Sequence, residues 1–302
     1  MSEVNASSNQ PYVTLNNGVK MPQLGFGVYL IERQDCERCV SQALAAGYRH
    51  IDTAQAYFNE EEVGKAVRAA IQDAAVDVKR SELFITSKVW LSNYGYEKCK
   101  SSVYHSLELL GLDYIDLMLL HQPFADYYGA FRALADLQQE GVLKSIGVSN
   151  FYPRVLNDLV AFQEAKPQVN QIEINPFHQR KDEIENMISL QVQAEAWAPF
   201  GEGRENMFSE PTLKAIGDKH GKTIAQVIVR YLVQLGIVVL AKSVREERMR
   251  ENIAVCDFTL NDEEMQQIAA LDRKTSLFFD HSAPEAVKTF VGFNEMLKAK
   301  MR

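Results

Sequence analysis

The chain has 302 residues, 46% of them hydrophobic, and 32 basic against 40 acidic side chains give a formal charge of −8. That content supports a substantial core and excludes the disordered and fibrous classes, while the negative balance opposes nonspecific attraction to nucleic acid or anionic lipid. The longest apolar runs, YIDLMLL and IVVLA, fall far short of the roughly 20 residues a bilayer-spanning helix needs, so no membrane span is expected.

Residues 1–10 are polar and lack the basic, apolar and small-residue order of a secretory signal; they are expected to be disordered. YVTLNNGVKMPQLG follows, with Asn-Asn-Gly between two extended runs, which reads as a β-hairpin placed to plug the bottom of a barrel. From about residue 25 to 270, short β-rich runs alternate with amphipathic stretches of ten to fifteen residues. The predicted strands are LGFG (24–27), HIDTA (50–54), LFITSKV (83–89), YIDLMLLH (114–121), SIGVSN (145–150), QVNQIEIN (168–175), QAEAWAP (193–199) and IVVLAKS (237–243). Between them lie helix candidates such as QDCERCVSQALAAG, NEEEVGKAVRAAIQ, YEKCKSSVYHSLELLG and YYGAFRALADLQQEG, several closed by the Gly that tolerates a left-handed helix end. Eight βα units without a linker or compositional break fit one closed α/β barrel, a (β/α)8 TIM barrel, with 1–302 as a single domain. The tail, 273–302, carries four Phe with little periodicity and reads as a C-terminal loop that packs over something.

Cys36 and Cys39 form a C-x-x-C, but on an expected helix and without a second pair at zinc-ligand spacing, so no metal is assigned. With Cys99 and Cys256 they make no disulfide framework, which points to a reducing cytoplasm.

Barrel enzymes carry reactive groups at the C-terminal ends of their strands. Strand two ends with Asp52 and, one loop turn later, Tyr57; strand three ends with Lys88; strand four ends with His121. A phenol is a poor acid at neutrality, but an ammonium beside it favours the phenolate. Lys88 supplies that charge, Asp52 holds the lysine protonated and aimed, and His121 reaches the same substrate oxygen. The set is a proton donor with its tuning apparatus, suited to a carbonyl becoming an alcohol. Taken singly, each residue has a plainer explanation: Asp52 as a turn cap, Lys88 as a snorkelling surface lysine, His121 as a structural histidine. Four such residues on three consecutive strands favour the joint reading.

The segments GFGVY, DTAQAY-NEEEVG, ITSKVW, LMLLHQP, IGVSNF, VNQIEINP, AWAPFG and AKSVREERMREN occur in the order and approximate spacing of the aldo-keto reductases, which this sequence resembles from about residue 12 to 272. The resemblance is to the bacterial-type members with short connecting loops. It implies Tyr57 as general acid, Lys88 and Asp52 as its tuning pair, and His121 as the group that orients the carbonyl.

Carbonyl reduction needs a hydride that no side chain supplies, so a nicotinamide cofactor is implied, and the resemblance makes it NADPH/NADP. GFGVYL and GEGREN hold only two glycines of the G-x-G-x-x-G pattern outside a strand-turn-helix context, so the barrel itself must bind it. Ser149 and Asn150 end strand five, Gln171 lies on strand six and Trp197 ends strand seven; hydroxyl and amide groups suit a carboxamide, and an indole face suits a nicotinamide. The resemblance gives those residues these roles and puts Ala198, Phe200 and Gly201 beside the pyrophosphate. After strand eight, Lys242, Ser243, Val244, Arg245 and Arg248 gather around a helix start, where cations and backbone amides attract anions. By resemblance Lys242, Ser243 and Arg248 clamp the adenosine 2′-phosphate, with Glu251 and Asn252 near the adenine. Two charge-assisted bonds of roughly 1.5 to 3 kcal/mol each would favour NADPH over NADH by a factor on the order of 10² or more.

On the substrate side Tyr29, Phe58, Trp90, Phe124 and the tail aromatics Phe278, Phe279, Phe290 and Phe293 are candidates for an apolar wall. Gln122 stands where the family usually has Trp, and Tyr29 where many members have Trp, which makes the wall smaller or more polar. The expected activity is NADPH-dependent reduction of a small-molecule aldehyde or ketone, with no nucleic-acid, membrane or obligate protein partner. A nicotinamide-binding sensor with little turnover stays open on the same barrel; a metal-dependent hydrolase finds no ligand cluster at the strand ends.

Overall fold

The computed structural model describes residues 10–74 and 76–300. Two short strands, β1 (Tyr12–Thr14) and β2 (Lys20–Pro22), pair antiparallel as the N-terminal hairpin. Eight more follow: β3 (Leu24–Gly27), β4 (His50–Asp52), β5 (Phe84–Val89), β6 (Ile115–Leu120), β7 (Leu143–Ser149), β8 (Val169–Glu173), β9 (Gln193–Trp197) and β10 (Val238–Ala241). They form one closed parallel barrel in sequential order, β10 pairing with β3. The expected (β/α)8 barrel is the fold; the strand predicted at 24–27 keeps its bounds, β7 begins two residues earlier than predicted, at Leu143, and the other six lose one to three residues at their ends.

Sequence explains the helices between strands. Cys36, Cys39, Val40, Ala43 and Leu44 recur at helical spacing and bury one face of Arg33–Ala45 against the barrel. Tyr96–Leu110 ends on Gly111, whose φ of 62° terminates the helix in the left-handed conformation. Pro153 and Pro211 open two later helices at the position where a missing N–H costs nothing.

The hairpin closes the lower end. Leu15 and Met21 join Phe84, Leu117, Leu119, Val169 and Val238 in a separate apolar cluster. Asn16 donates to the carbonyls of Pro167 and Gln191, and Asn17 to that of Lys144, so the turn is fastened to the loops around it. The expectation of disorder over residues 1–10 falls, for 1–9, outside the described residues. Gln10 is buried and donates to the Leu24 carbonyl, against that expectation.

The tail also departs from the expected loop. It is irregular as far as Ala283, but Pro284–Lys300 is a 17-residue helix that buries Ala286, Phe290 and Leu297 on one face. Phe278 and Phe279 belong to the loop before it, so the four Phe never shared one period.

Candidate active site

Strand register brings the first group of side chains together: Gly27 pairs with Asp52, and Asp52 with Thr86 two positions before Lys88. Lys88 is fully buried, and its ammonium donates to Asp52 Oδ1 at 2.5 Å, to the Thr53 carbonyl at 3.0 Å and to Tyr57 Oη at 3.3 Å. Tyr57 sits in a single helical turn, Gln55–Tyr57, closed by Phe58 at φ 57°. That turn is pinned by Gln55, which accepts from Trp90 N at 3.1 Å and Asn93 Nδ2 at 2.9 Å and donates to Ser106 Oγ at 3.2 Å. His121 follows β6 directly, with its ring edge-on to Tyr57 at 5.7 Å and to Trp90 at 5.1 Å. The geometry therefore gathers Asp52, Tyr57, Lys88 and His121 at the upper mouth.

Burial and charge set their protonation. Asp52 and the neighbouring phenol hold Lys88 protonated against the desolvation that opposes its charge. Burial pushes the Asp52 carboxyl up, and the Lys88 ammonium and the Gln171 amide oppose that push. Burial raises the Tyr57 phenol to about 12 although Lys88 lowers it, so in the free chain desolvation outweighs the ammonium and the hydroxyl keeps its proton. Burial and Lys88 together drive His121 well below the ordinary histidine value, leaving a neutral ring.

The second group lies on the next strands. Ser149 Oγ donates to the Gln171 carbonyl at 2.9 Å, and Asn150 Oδ1 accepts from Trp197 Nε1 at 2.9 Å. Gln171 gives its side-chain nitrogen to Asp52 Oδ2 at 3.0 Å and to Glu195 Oε2 at 2.9 Å. Asn150 (φ 63°) and Ala198 (φ 48°) adopt the left-handed conformation at the ends of β7 and β9, costly backbone of the kind that gathers at binding sites. Gly201 opens a loop to Ser209 in which Glu202, Gly203, Glu205 and Asn206 also have positive φ. Asn170 fastens Phe151 through its carbonyl at 2.7 Å.

Beyond β10 a cavity of about 750 Å³ is lined by Phe200, Phe208, Lys242, Ser243, Val244, Arg245, Arg248, Glu251 and Asn252, among others. Cations outnumber free acids in this lining: Asp218 pairs with Lys214 at 2.7 Å and the adjoining Glu246 with Arg250 at 2.8 Å, Glu251 remains, and among the described residues Lys242, Arg245 and Arg248 enter no ion pair. Unpaired cations beside the start of the helix Glu246–Ile253 give the cavity a lining whose charge attracts anions, and its volume and charge are compatible with an adenosine carrying phosphate. Ser243 Oγ accepts from the Arg245 amide at 3.1 Å, which gives Arg245 a backbone part in starting that helix.

The aromatics expected on the substrate side fall into two settings. Trp90 is buried and packs on Phe290 at 6.4 Å, while Tyr29 is half exposed and rests on Tyr57 at 5.0 Å. Gln122 is turned inward: its Oε1 accepts from Asn150 Nδ2 at 3.3 Å and faces His281 Nε2 at 3.1 Å. Phe124 and Phe279 meet Phe290 at 5.1 and 5.4 Å, and Phe278 meets Trp197 at 5.0 Å, so the tail covers the mouth. Three residues in contact with the site went unread in the sequence: Glu173, which accepts from Ser276 Oγ at 2.5 Å and Leu277 N at 2.9 Å; His281; and Glu195. For Glu173 and Glu195 the available signal was a carboxylate within a strand whose neighbours are apolar.

A parallel barrel with a lysine-bonded phenol at its mouth and a cation-lined cavity beyond its last strand has the construction of a barrel oxidoreductase that uses a phosphorylated cofactor. The chain belongs to the aldo/keto reductase family, whose sequence profile matches residues 23–273. It is 40% identical over 269 residues to a methylglyoxal reductase of Salmonella typhimurium, spanning 88% of this chain and 95% of that protein. It is 38% identical over 280 residues to a morphine 6-dehydrogenase of Pseudomonas putida, spanning 88% and 93%. Among solved structures, an aldo-keto reductase of Bombyx mori in complex with NADP is 32% identical and superposes with a TM-score of 0.85 over 89% of this chain and 95% of that one. Among the described residues no helix is long and apolar enough to cross a membrane, and no group of three or more His, Cys, Asp and Glu is placed to hold a metal ion.

Proposed function

We propose that the chain reduces aldehydes or ketones to alcohols with NADPH, Tyr57 delivering the proton. The observation that carries this reading is the buried Lys88 ammonium, bonded at once to Asp52 and to the Tyr57 hydroxyl. Bound at the mouth, NADPH supplies the hydride. Ser149, Asn150 and Gln171 hold the carboxamide, Gln171 by its carbonyl oxygen because its nitrogen already serves two carboxylates. Trp197, fixed by its bond to Asn150, offers its face to the nicotinamide. Ala198, Phe200 and Gly201, which follow β9, would run beside the pyrophosphate; Lys242, Ser243 and Arg248 would hold the 2′-phosphate, with Val244 in the same cavity wall and Glu251 and Asn252 near the adenine.

At the carbonyl, His121 is neutral and donates from Nε2. Its Nδ1 is buried without a partner, and an unpaired lone pair there costs less than an unpaired N–H. Tyr57 keeps its proton until negative charge develops on the substrate oxygen, and Lys88 then stabilises the phenolate left behind. Trp90 and Tyr29 wall the substrate, and Gln122 shapes that wall from behind. The described residues act as one barrel domain in a reducing cytoplasm, in keeping with four free cysteines.

The test follows loss of NADPH absorbance with methylglyoxal, an aliphatic aldehyde and an aromatic aldehyde, with NADH and a chelator as controls. Turnover with NADPH, weak with NADH and indifferent to the chelator, is expected. Tight NADPH binding without turnover of any carbonyl would contradict the reading and favour a sensor.

A further inference from the structure

One fully buried acid at the site enters the steps above only as an acceptor for the Gln171 amide. Glu195 lies on β9 between Gln171 on β8 and Val238 on β10, pointing into the barrel. The Gln171 side-chain nitrogen has two hydrogens and two carboxylates to give them to, Asp52 Oδ2 at 3.0 Å and Glu195 Oε2 at 2.9 Å. The groups facing this cluster are few. β4 contributes His50 and Asp52, β5 contributes Thr86 and Lys88, β8 contributes Gln171, and β3 contributes Gly25, where an added Cβ would meet His50 Nδ1 at 2.6 Å.

His50 cannot serve as a counter-ion. Its Nε2 is bonded to Thr86 Oγ1 at 3.0 Å and stands 3.7 Å from Glu195 Oε1, and burial together with Lys88 takes its ring down to about 3, so it is neutral. Two buried carboxylates therefore share a single cation, Lys88, and that cation is in direct contact with Asp52. Ionising both acids would leave an uncompensated charge in a site closed to water, which is expensive. The low-energy arrangement keeps one proton on the acid that lacks the salt bridge. Burial, reinforced by the charge of Asp52, raises Glu195 to about 8.

We propose that Glu195 is a positioning residue that works as a neutral acid: it fixes the Gln171 amide and leaves the Lys88–Asp52 pair electrically balanced behind Tyr57. The inference rests on Tyr57 as the proton donor. When Glu195 ionises in mildly alkaline solution, a second negative charge joins Lys88 and weakens its pull on the phenolate. Tyr57 then keeps its proton to higher pH. Glu195 thereby extends the alkaline working range of carbonyl reduction.

The test compares the pH profile of kcat for NADPH-dependent methylglyoxal reduction in the wild type, Glu195→Gln and Tyr57→Phe. Gln retains an acceptor for Gln171 but never ionises. In Glu195→Gln the alkaline limb, taken relative to the variant's own plateau, is expected to fall at lower pH by about half a unit or more. Superimposable limbs, or a shift to higher pH, would overturn the proposal. Should the Gln variant not fold, infrared spectra of the wild-type holoenzyme decide. A protonated carboxyl band that vanishes as pH rises through about 8 is expected, with Glu60→Gln and Asp116→Asn marking the bands of two other buried acids whose values are raised outside the Lys88–Asp52 pair; its absence overturns the proposal. Wild-type turnover in Tyr57→Phe would instead refute the proton-donor reading, and the infrared result would still report the Glu195 proton by itself.

Discussion

Lys88→Met is the sharpest perturbation of the site, because it removes one charge and little volume. The ammonium stands 3.3 Å from Tyr57 Oη. At an effective dielectric of about 20, a unit charge at that distance stabilises a phenolate by about 5 kcal/mol, or between about 3 and 4 pKa units. Tyr57, already raised to about 12 by burial, becomes a still weaker acid. With roughly half of that difference expressed in the transition state, kcat for reduction falls by about 10²-fold or more. Stability falls too, by about 3 to 5 kcal/mol, because Asp52 is left buried with only the Gln171 amide. The double variant Asp52→Asn/Lys88→Met separates the two effects. Urea unfolding is expected to recover most of the lost stability in the double variant, while steady-state kinetics with NADPH and methylglyoxal stay at the level of the single variant. A Lys88→Met protein within a few-fold of wild-type kcat, or a double variant that regains activity, would refute the electrostatic role of Lys88.

Arg248→Ala removes a cation from the cavity beyond β10 and should raise KM for NADPH by about 10- to 10²-fold while leaving KM for NADH nearly unchanged, as steady-state kinetics with each cofactor will read. Equal losses with both cofactors would remove the phosphate contact. Far from the site, Glu264 caps the helix Asp262–Ala269; desolvation would raise its carboxyl, but hydrogen bonds from Lys219, the Asn261 amide and His220 bring it down to about 2. Its contribution to stability is therefore present above the ordinary Glu value and lost as pH falls towards 2. Glu264→Gln should lower stability by about 1 to 2 kcal/mol at pH 7, and chemical denaturation should find the gap shrinking below about pH 4.

Most of the framework was legible because it depends on local pattern. The alternation of short β-rich runs with helical stretches gave eight barrel strands in the right order, and Asn-Asn-Gly gave the hairpin that closes the bottom. Asp52, Tyr57, Lys88 and His121 were readable because each ends or follows a strand, and in a closed barrel all strand ends share one rim. What stayed hidden depends on contacts far apart in sequence. Glu195 meets Gln171 and Asp52 only after the barrel closes, and His281 reaches Gln122 across 159 positions. The left-handed backbone of Ala198 could not be read from a residue that ordinarily avoids it, whereas Asn150 is of a type that tolerates it. In the tail, Ala286, Phe290 and Leu297 do mark one helical face, but the loop residues Phe278 and Phe279 blurred that period.

The central claim is that Tyr57 supplies the proton while the rest of the site binds the cofactor. Rapid mixing of the Tyr57→Phe holoenzyme with methylglyoxal tests it most directly, with NADPH affinity measured on the same protein by fluorescence. The account predicts wild-type cofactor affinity and a loss of about 10²-fold or more in the single-turnover rate. A Phe variant that binds NADPH and converts substrate at the wild-type rate would contradict it.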